Sequence, residues 1–178
     1  MQLVFGSALI LLLLSGLAAY DAVVRLRAAQ KWVSHTHDVQ SALGDLNSVS
    51  SRAGRARTRY VDTGDESFFQ DYQSAAAEVS SKLQLLKQLT ADNPEQHESW
   101  AQLQEITDRR LLLLDKSVQL KRNGSPDPQE QARLRQQIID VSAEADSLLQ
   151  KMQDAEQQLL DQRQLHSERF SPPFNNVR

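Results

Sequence analysis

The chain has 178 residues, 24% of them charged, with a formal net charge of −3. So balanced a charge sets up no strong field, and no nucleic acid or other general polyanion is expected as a partner. The lack of cysteine excludes disulfides, thiolate metal sites and a cysteine nucleophile.

The first predicted element is Leu3 to Ala19, an uncharged apolar run that Met1 and Tyr20 extend. At ~1.5 Å per residue such a run makes a helix of ~25–30 Å, close to the hydrocarbon thickness of a bilayer. We therefore expect residues 1–20 to be a transmembrane anchor, in contact with lipid through 3–19 and continuous with the helix that follows. A cleaved secretory signal is the rival reading. Gly16 and Ala18 offer small residues for a cut, but no Lys or Arg precedes the run. Arg25, Arg27 and Lys31 follow it, and the positive-inside rule taken alone places the rest of the chain in the cytoplasm.

Residues 21–31 read as a juxtamembrane helix and 32–166 as four helices. The first carries Trp32, Thr36, Val39, Leu43, Leu46, Ser50, Ala53, Arg57 and Tyr60 in alternating steps of four and three. That 3.5-residue repeat is the signature of helices packed at a shallow angle around a shared seam. Ser50 and Arg57 weaken the stripe, and Val49 and Ala56 can share its burial. Asp62-Thr63-Gly64-Asp65 ends the helix, with Gly64 suited to the left-handed conformation and Asp65 to the next amino-terminal cap.

The second helix, about Glu66 to Leu89, presents Phe69, Tyr72, Ala76, Val79, Leu83 and Leu86. Pro94 opens the third, which carries Trp100, Leu103, Ile106, Leu113 or Leu114, and Leu120. After the breakers at 123–128 the fourth helix has the cleanest stripe: Leu134, Ile138, Val141, Ala145, Leu148, Met152, Ala155 and Leu159. Ile139, Leu149 and Leu160 form a partial second stripe suited to a second copy of the chain. Residues 167–178 read as a flexible tail.

Short turns make neighbouring helices antiparallel, so the expected fold is an all-α, up-down-up-down four-helix bundle. Its first and fourth helices are the long ones, about 38–41 residues against about 24–28, and the corners at 62–65 and 123–128 share the distal tip. Trp32 falls near the level of the inner turn at 90–94, placed to plug the base.

The segments Trp32-Val33-Ser34-His35-Thr36, Arg59 through Glu66 and Leu89 through Gln96, with Glu156, Leu159, Leu160 and Arg163, resemble the third subfamily of CHASE domains. The resemblance covers about 32–163. It implies an extracytoplasmic helical sensor of a bacterial receptor, set in the inner (plasma) membrane with its soluble body periplasmic or extracellular. It also implies coupling to a histidine kinase, cyclase or chemotaxis-type output. This outweighs the basic residues at 25–31. Many members read Arg-Gly-Tyr-Leu-Leu-Thr-Gly at the first turn; here Thr58 and Arg59 hold the Arg and Gly places and Asp62 replaces an apolar residue. No second membrane helix follows Arg163, so the chain is expected to be a truncated receptor or a stand-alone sensor piece.

No catalytic residue, metal or cofactor is expected, and the chain is not expected to be an enzyme. His35 and His37 lie about 200° apart on a helix and cannot share a metal. His97 sits beside Glu95 and Glu98 in a solvated turn. His166-Ser167-Glu168 faintly echoes a phosphoacceptor box, but no nucleotide-binding glycine box accompanies it. One constellation remains: Arg52, Arg55 and Arg59 on one face, with Tyr60, Lys121, Arg122 and Asn123 at the same level. These could hold a small anion at the distal tip, or the cations could simply answer helix dipoles and pair with Asp62, Asp65 or Asp127. The leading function is a membrane-anchored sensor that signals by helix displacement in a homodimer. The alternative is a non-sensing structural or adaptor bundle that binds a partner protein.

Overall fold

The computed structural model describes residues 2–91, 93–124 and 127–169, excepting the side chains of 2–11, 25, 26, 28, 29, 32, 94, 95 and 163–169. The described residues are all-helical apart from the corners: α1 (Gln2–Thr63), α2 (Glu66–Leu89), α3 (Pro94–Arg122) and α4 (Pro128–Arg169). The fourth helix thus reaches past the boundary expected at 166, because Ser167, Glu168 and Arg169 contain no breaker and helix propagates at little cost until one intervenes. The Trp32 side chain, the side chains of the His166 box and the tail from 170 onward lie outside the described residues.

Each corner is built from the residues that its geometry requires. Gly64 adopts φ +74°, and its N–H donates to the Tyr60 carbonyl at 2.8 Å, which closes the end of α1. The Asp65 carboxylate then accepts from the Ser67 N–H at 2.9 Å as the cap of α2, and this bond holds its pKa below the ordinary value. Thr90 ends α2 by donating its hydroxyl to the Leu86 carbonyl at 2.9 Å. Pro94 opens α3, where its missing N–H costs nothing. Asp127 caps α4 through the Gln129 N–H at 2.9 Å.

The chain divides into two compact units, one of residues 1–37 with 158–178 and one of residues 38–157. In the first, Leu12, Leu13, Leu14, Leu17 and Tyr20 are exposed, and the Ser15 hydroxyl donates to the Leu12 carbonyl at 2.9 Å. Among the described residues no helix is long and apolar enough to cross a membrane. Residues 1–11 of the expected anchor fall outside the description of side chains.

The second unit holds two clusters of core. One gathers Val39, Leu43 and Leu46 of α1 with Val79, Leu83 and Leu86 of α2, Trp100, Leu103 and Ile106 of α3, and Leu148 and Met152 of α4. The other gathers Ala53, Ala56 and Tyr60 with Tyr72, Ala75, Leu114, Val118 and Ile138. Each fully buried Leu contributes about 1.5–3 kcal/mol to holding the helices together. Ala75 is buried where Ala76 was expected, and Val118 fills the seam while Leu120 lies half-buried; of the alternatives Leu113 and Leu114, it is Leu114 that is buried. Leu149 is a core residue (5% exposed), whereas Ile139 beside the seam is 54% exposed.

Cross-helix bonds give the register within this unit. Asp45 meets Lys82 and Arg52 meets Glu78; Tyr72 meets Asp115 and the Trp100 indole N–H meets the Leu83 carbonyl; Ser117 meets Gln131 and Arg109 meets Glu144. In each pair of helices the partner number falls as the other rises, so successive helices run antiparallel there. Lys121 Cε lies 3.7 Å from where a Cβ on Gly64 would stand, which brings the end of α3 to the Asp-Thr-Gly corner.

Candidate functional site

Two arrangements in the second unit go beyond what packing requires. The first is a groove of about 520 Å³ between α1 and α2, lined by Arg52, Arg55, Ala56, Arg59, Phe68, Asp71, Ser74 and Glu78. Helical spacing produces it: 52, 55, 56 and 59 share one stripe of α1, and 68, 71, 74 and 78 share the facing stripe of α2. The two stripes run antiparallel and meet as a ladder. At one end Arg52 is ion-paired with Glu78, and at the other the Arg59 guanidinium lies 5.4 Å from the centre of the Phe68 ring. Beyond Arg52 the ladder continues through Lys82 and Asp45 at 2.7 Å, a bond that raises the Lys82 pKa. Between the closed rungs stand Arg55, Asp71 and Ser74, all exposed and, among the described residues, without a hydrogen bond or ion pair of their own.

The second arrangement is buried. Arg57 is 3% exposed, and its guanidinium donates to the hydroxyl of Ser117, itself 0% exposed. The Ser117 hydroxyl in turn donates to Gln131 Oε1 at 2.7 Å, and Gln131 Nε2 donates back to the Ser117 carbonyl at 3.0 Å. Seven residues earlier on both helices the roles reverse: Arg110 of α3 donates to Ser50 of α1. Gly54 makes room for this arginine, because a Cβ there would stand 3.2 Å from its Nη2. Burial lowers both guanidinium pKa values; Arg135 adds to the effect at Arg57, opposed by Asp62 and Tyr72, and Asp146 opposes it at Arg110. Among the described residues the buried Nε of each arginine has no hydrogen-bond partner. Alongside, the buried Tyr72 phenol donates to Asp115, and burial together with that bond raises its pKa.

The six expected anion-binding residues separate into two groups. Arg52, Arg55 and Arg59 line the groove together. Tyr60, Lys121 and Arg122 are not among its lining residues and gather around the corner instead. Tyr60 is buried, bonds Glu66 at 3.4 Å and has its pKa raised chiefly by burial; Lys121 reaches Gly64; the Arg122 guanidinium lies 4.3 Å over Phe69. Sequence reasoning missed Phe68, Asp71, Ser74 and Glu78, which lie on the solvent side of the apolar stripe of α2. Their own 3–4 spacing, opposite three arginines across a short turn, was the available signal. Gln96 and Glu156, named in the sequence only for the family resemblance, are both buried and joined at 3.1 Å, which ties the start of α3 to α4. Among the described residues no group of His, Asp and Glu is placed to hold a metal.

Comparison with known proteins agrees with this architecture. The crystal structure of the sensor domain of Rhodopseudomonas palustris histidine kinase HK9 superposes with a TM-score of 0.62 at 26% sequence identity. The match covers 71% of this chain and 98% of that one. No curated protein matches the chain. The profile of the CHASE3 domain matches residues 29–165, most of the sequence and all of the second unit. The chain belongs to the CHASE3 domain family.

Proposed function

We propose that this chain is the extracytoplasmic sensory domain of a bacterial signalling receptor, anchored in the inner membrane through residues 3–19 and without enzymatic activity of its own. The observation that carries the reading is the CHASE3 match across 29–165, joined to the fold shared with a histidine kinase sensor domain. In this reading the second unit is an up-down-up-down bundle whose tall first and fourth helices lead to the bilayer, α1 being continuous with the anchor. Support comes from α1 and α4 themselves, which extend past residues 38 and 157 where the second unit ends. The exposure of Leu12, Leu13, Leu14 and Leu17 suits a surface covered by lipid.

The stimulus is a small anionic ligand held by arginines near the distal corner, with Arg55 and Arg59 as its main contacts. Binding between α1 and α2 biases the height or tilt of α1, and the displacement passes along the helix to a kinase, cyclase or chemotaxis-type output in a homodimer. Protease access in intact cells tests the placement: a tag at residue 178 should be cut from outside, and full protection defeats the sensor reading. A thermal-shift screen of anions on the wild type and on Arg55→Gln/Arg59→Gln tests the site. Shifts identical in the two proteins for every anion would remove the arginines from the proposal and favour a structural or adaptor bundle.

A further inference from the structure

We propose that the α1–α2 groove binds a free α-amino acid, its carboxylate on Arg55 and its ammonium on Asp71. This rests on the reading above that Arg55 holds a ligand's anionic group, and replaces the plain anion on Arg55 and Arg59 with a zwitterion held on the middle rung alone. The charge pattern of the groove makes the case. A site for a plain anion gathers cations and excludes carboxylates, because a nearby like charge costs affinity. This groove does the reverse: three arginines on α1 face two carboxylates and a hydroxyl on α2. The Arg52–Glu78 rung is closed upon itself and the Arg59 guanidinium is held at Phe68. What remains for a ligand is the middle rung, in which one guanidinium, one carboxylate and one hydroxyl have no partner among the described residues.

A ligand that completes this rung must present one negative and one positive group within a few ångströms of each other. An α-amino acid does so across a single carbon. Its carboxylate matches the planar fork of Arg55, and its ammonium matches the point acceptors on Asp71 and Ser74. Ala56 and the Phe68 ring supply an apolar wall for the side chain. At about 520 Å³ the groove lies within the range of small-molecule sites and is larger than any single amino acid. Because the ligand bridges α1 and α2, occupancy adds a rung to the ladder and draws the two helices together at that level.

The test uses the full chain in lipid nanodiscs. Thermal shift and then calorimetric titration are run with the twenty α-amino acids, acetate and inorganic phosphate. At least one amino acid should bind, and its N-acetyl and methyl-ester derivatives should each bind about tenfold or more weakly, since each lacks one charge. Arg55→Gln should weaken the amino acid about tenfold or more, and so should Asp71→Asn. Asp71→Asn should at the same time strengthen acetate, whose nearby repelling charge it removes. Ser74→Leu, which fills the gap at an exposed position without altering charge, should abolish binding and keeps the test open if a charge variant fails to fold. Amino-acid binding unaffected by Asp71→Asn would overturn the proposal. Acetate or phosphate binding that depends on Arg55, with no amino acid bound, would also overturn it while leaving the anion site standing. Binding of no probe through Arg55 would remove both.

Discussion

Removing the Ser117 hydroxyl provides the sharpest test of the buried arginine pairs. In Ser117→Ala the Arg57 guanidinium, 3% exposed, loses its acceptor and Gln131 Oε1 loses its donor. An orphaned buried group costs about 1–3 kcal/mol, with the charged Arg57 at the upper end and the half-buried Gln131, which water can reach, at or below the lower end, so the sum is about 2–4 kcal/mol after relaxation. At about 2–4 °C per kcal/mol for a chain of this size, the melting temperature should fall by about 5–15 °C. Arg57→Met behaves differently. It removes the buried charge and fills its volume with an apolar chain, while Ser117 keeps its bond to Gln131, so the change should lie within about 1 kcal/mol of neutral. The double variant should be no worse than Ser117→Ala alone. Urea unfolding followed by far-UV circular dichroism, run as a four-protein cycle, measures the coupling. A Ser117→Ala cost under about 0.5 kcal/mol, or an Arg57→Met cost equal to it, would refute the reasoning.

Three further outcomes follow from the same geometry. Tyr72→Phe should cost about 1.5–3 kcal/mol, the range for a bond to a charged partner. The folded-state pKa of Tyr72 is raised above 10.0, so its stabilisation is complete below pH 10 and is lost as pH rises beyond it; alkaline unfolding should be blunted in Tyr72→Phe. Among glycines, Gly44→Ala meets nothing within 4 Å and should stabilise by about 0.8–1 kcal/mol, Gly54→Ala should gain less because Arg110 is in the way, and Gly64→Ala at φ +74° should destabilise. Thermal melts rank the three. Leu149→Ala should cost about 2–5 kcal/mol and Ile139→Ala less than about 0.5, and comparable costs for the two would refute the burial assigned to each.

The two weak points of the first stripe, Ser50 and Arg57, show where reading along the chain stops. Each is unsuited to a core when its own helix is considered alone. Both sit well because α3 brings Arg110 and Ser117 to the same levels, with the same seven-residue spacing. In the same way, Leu149 was legible as lying beside a seam, but whether that flank faced solvent or another helix depended on crossing geometry. The groove was half legible. The arginines of α1 were visible as one face, whereas the residues that complete the rungs are ordinary polar positions on α2 until the two helices are set side by side.

The amino-acid sequence alone determined the helices, their corners and the face each turns inward, because these follow from local rules: a 3.5-residue apolar repeat, glycine at positive φ, and Asp or Pro at helix starts. Helix partners and depth of contact were decided only by the tertiary structure. A repeat specifies direction around one helix axis, while a bond such as Arg57–Ser117, between residues 60 apart, exists only once another helix has been fixed in register.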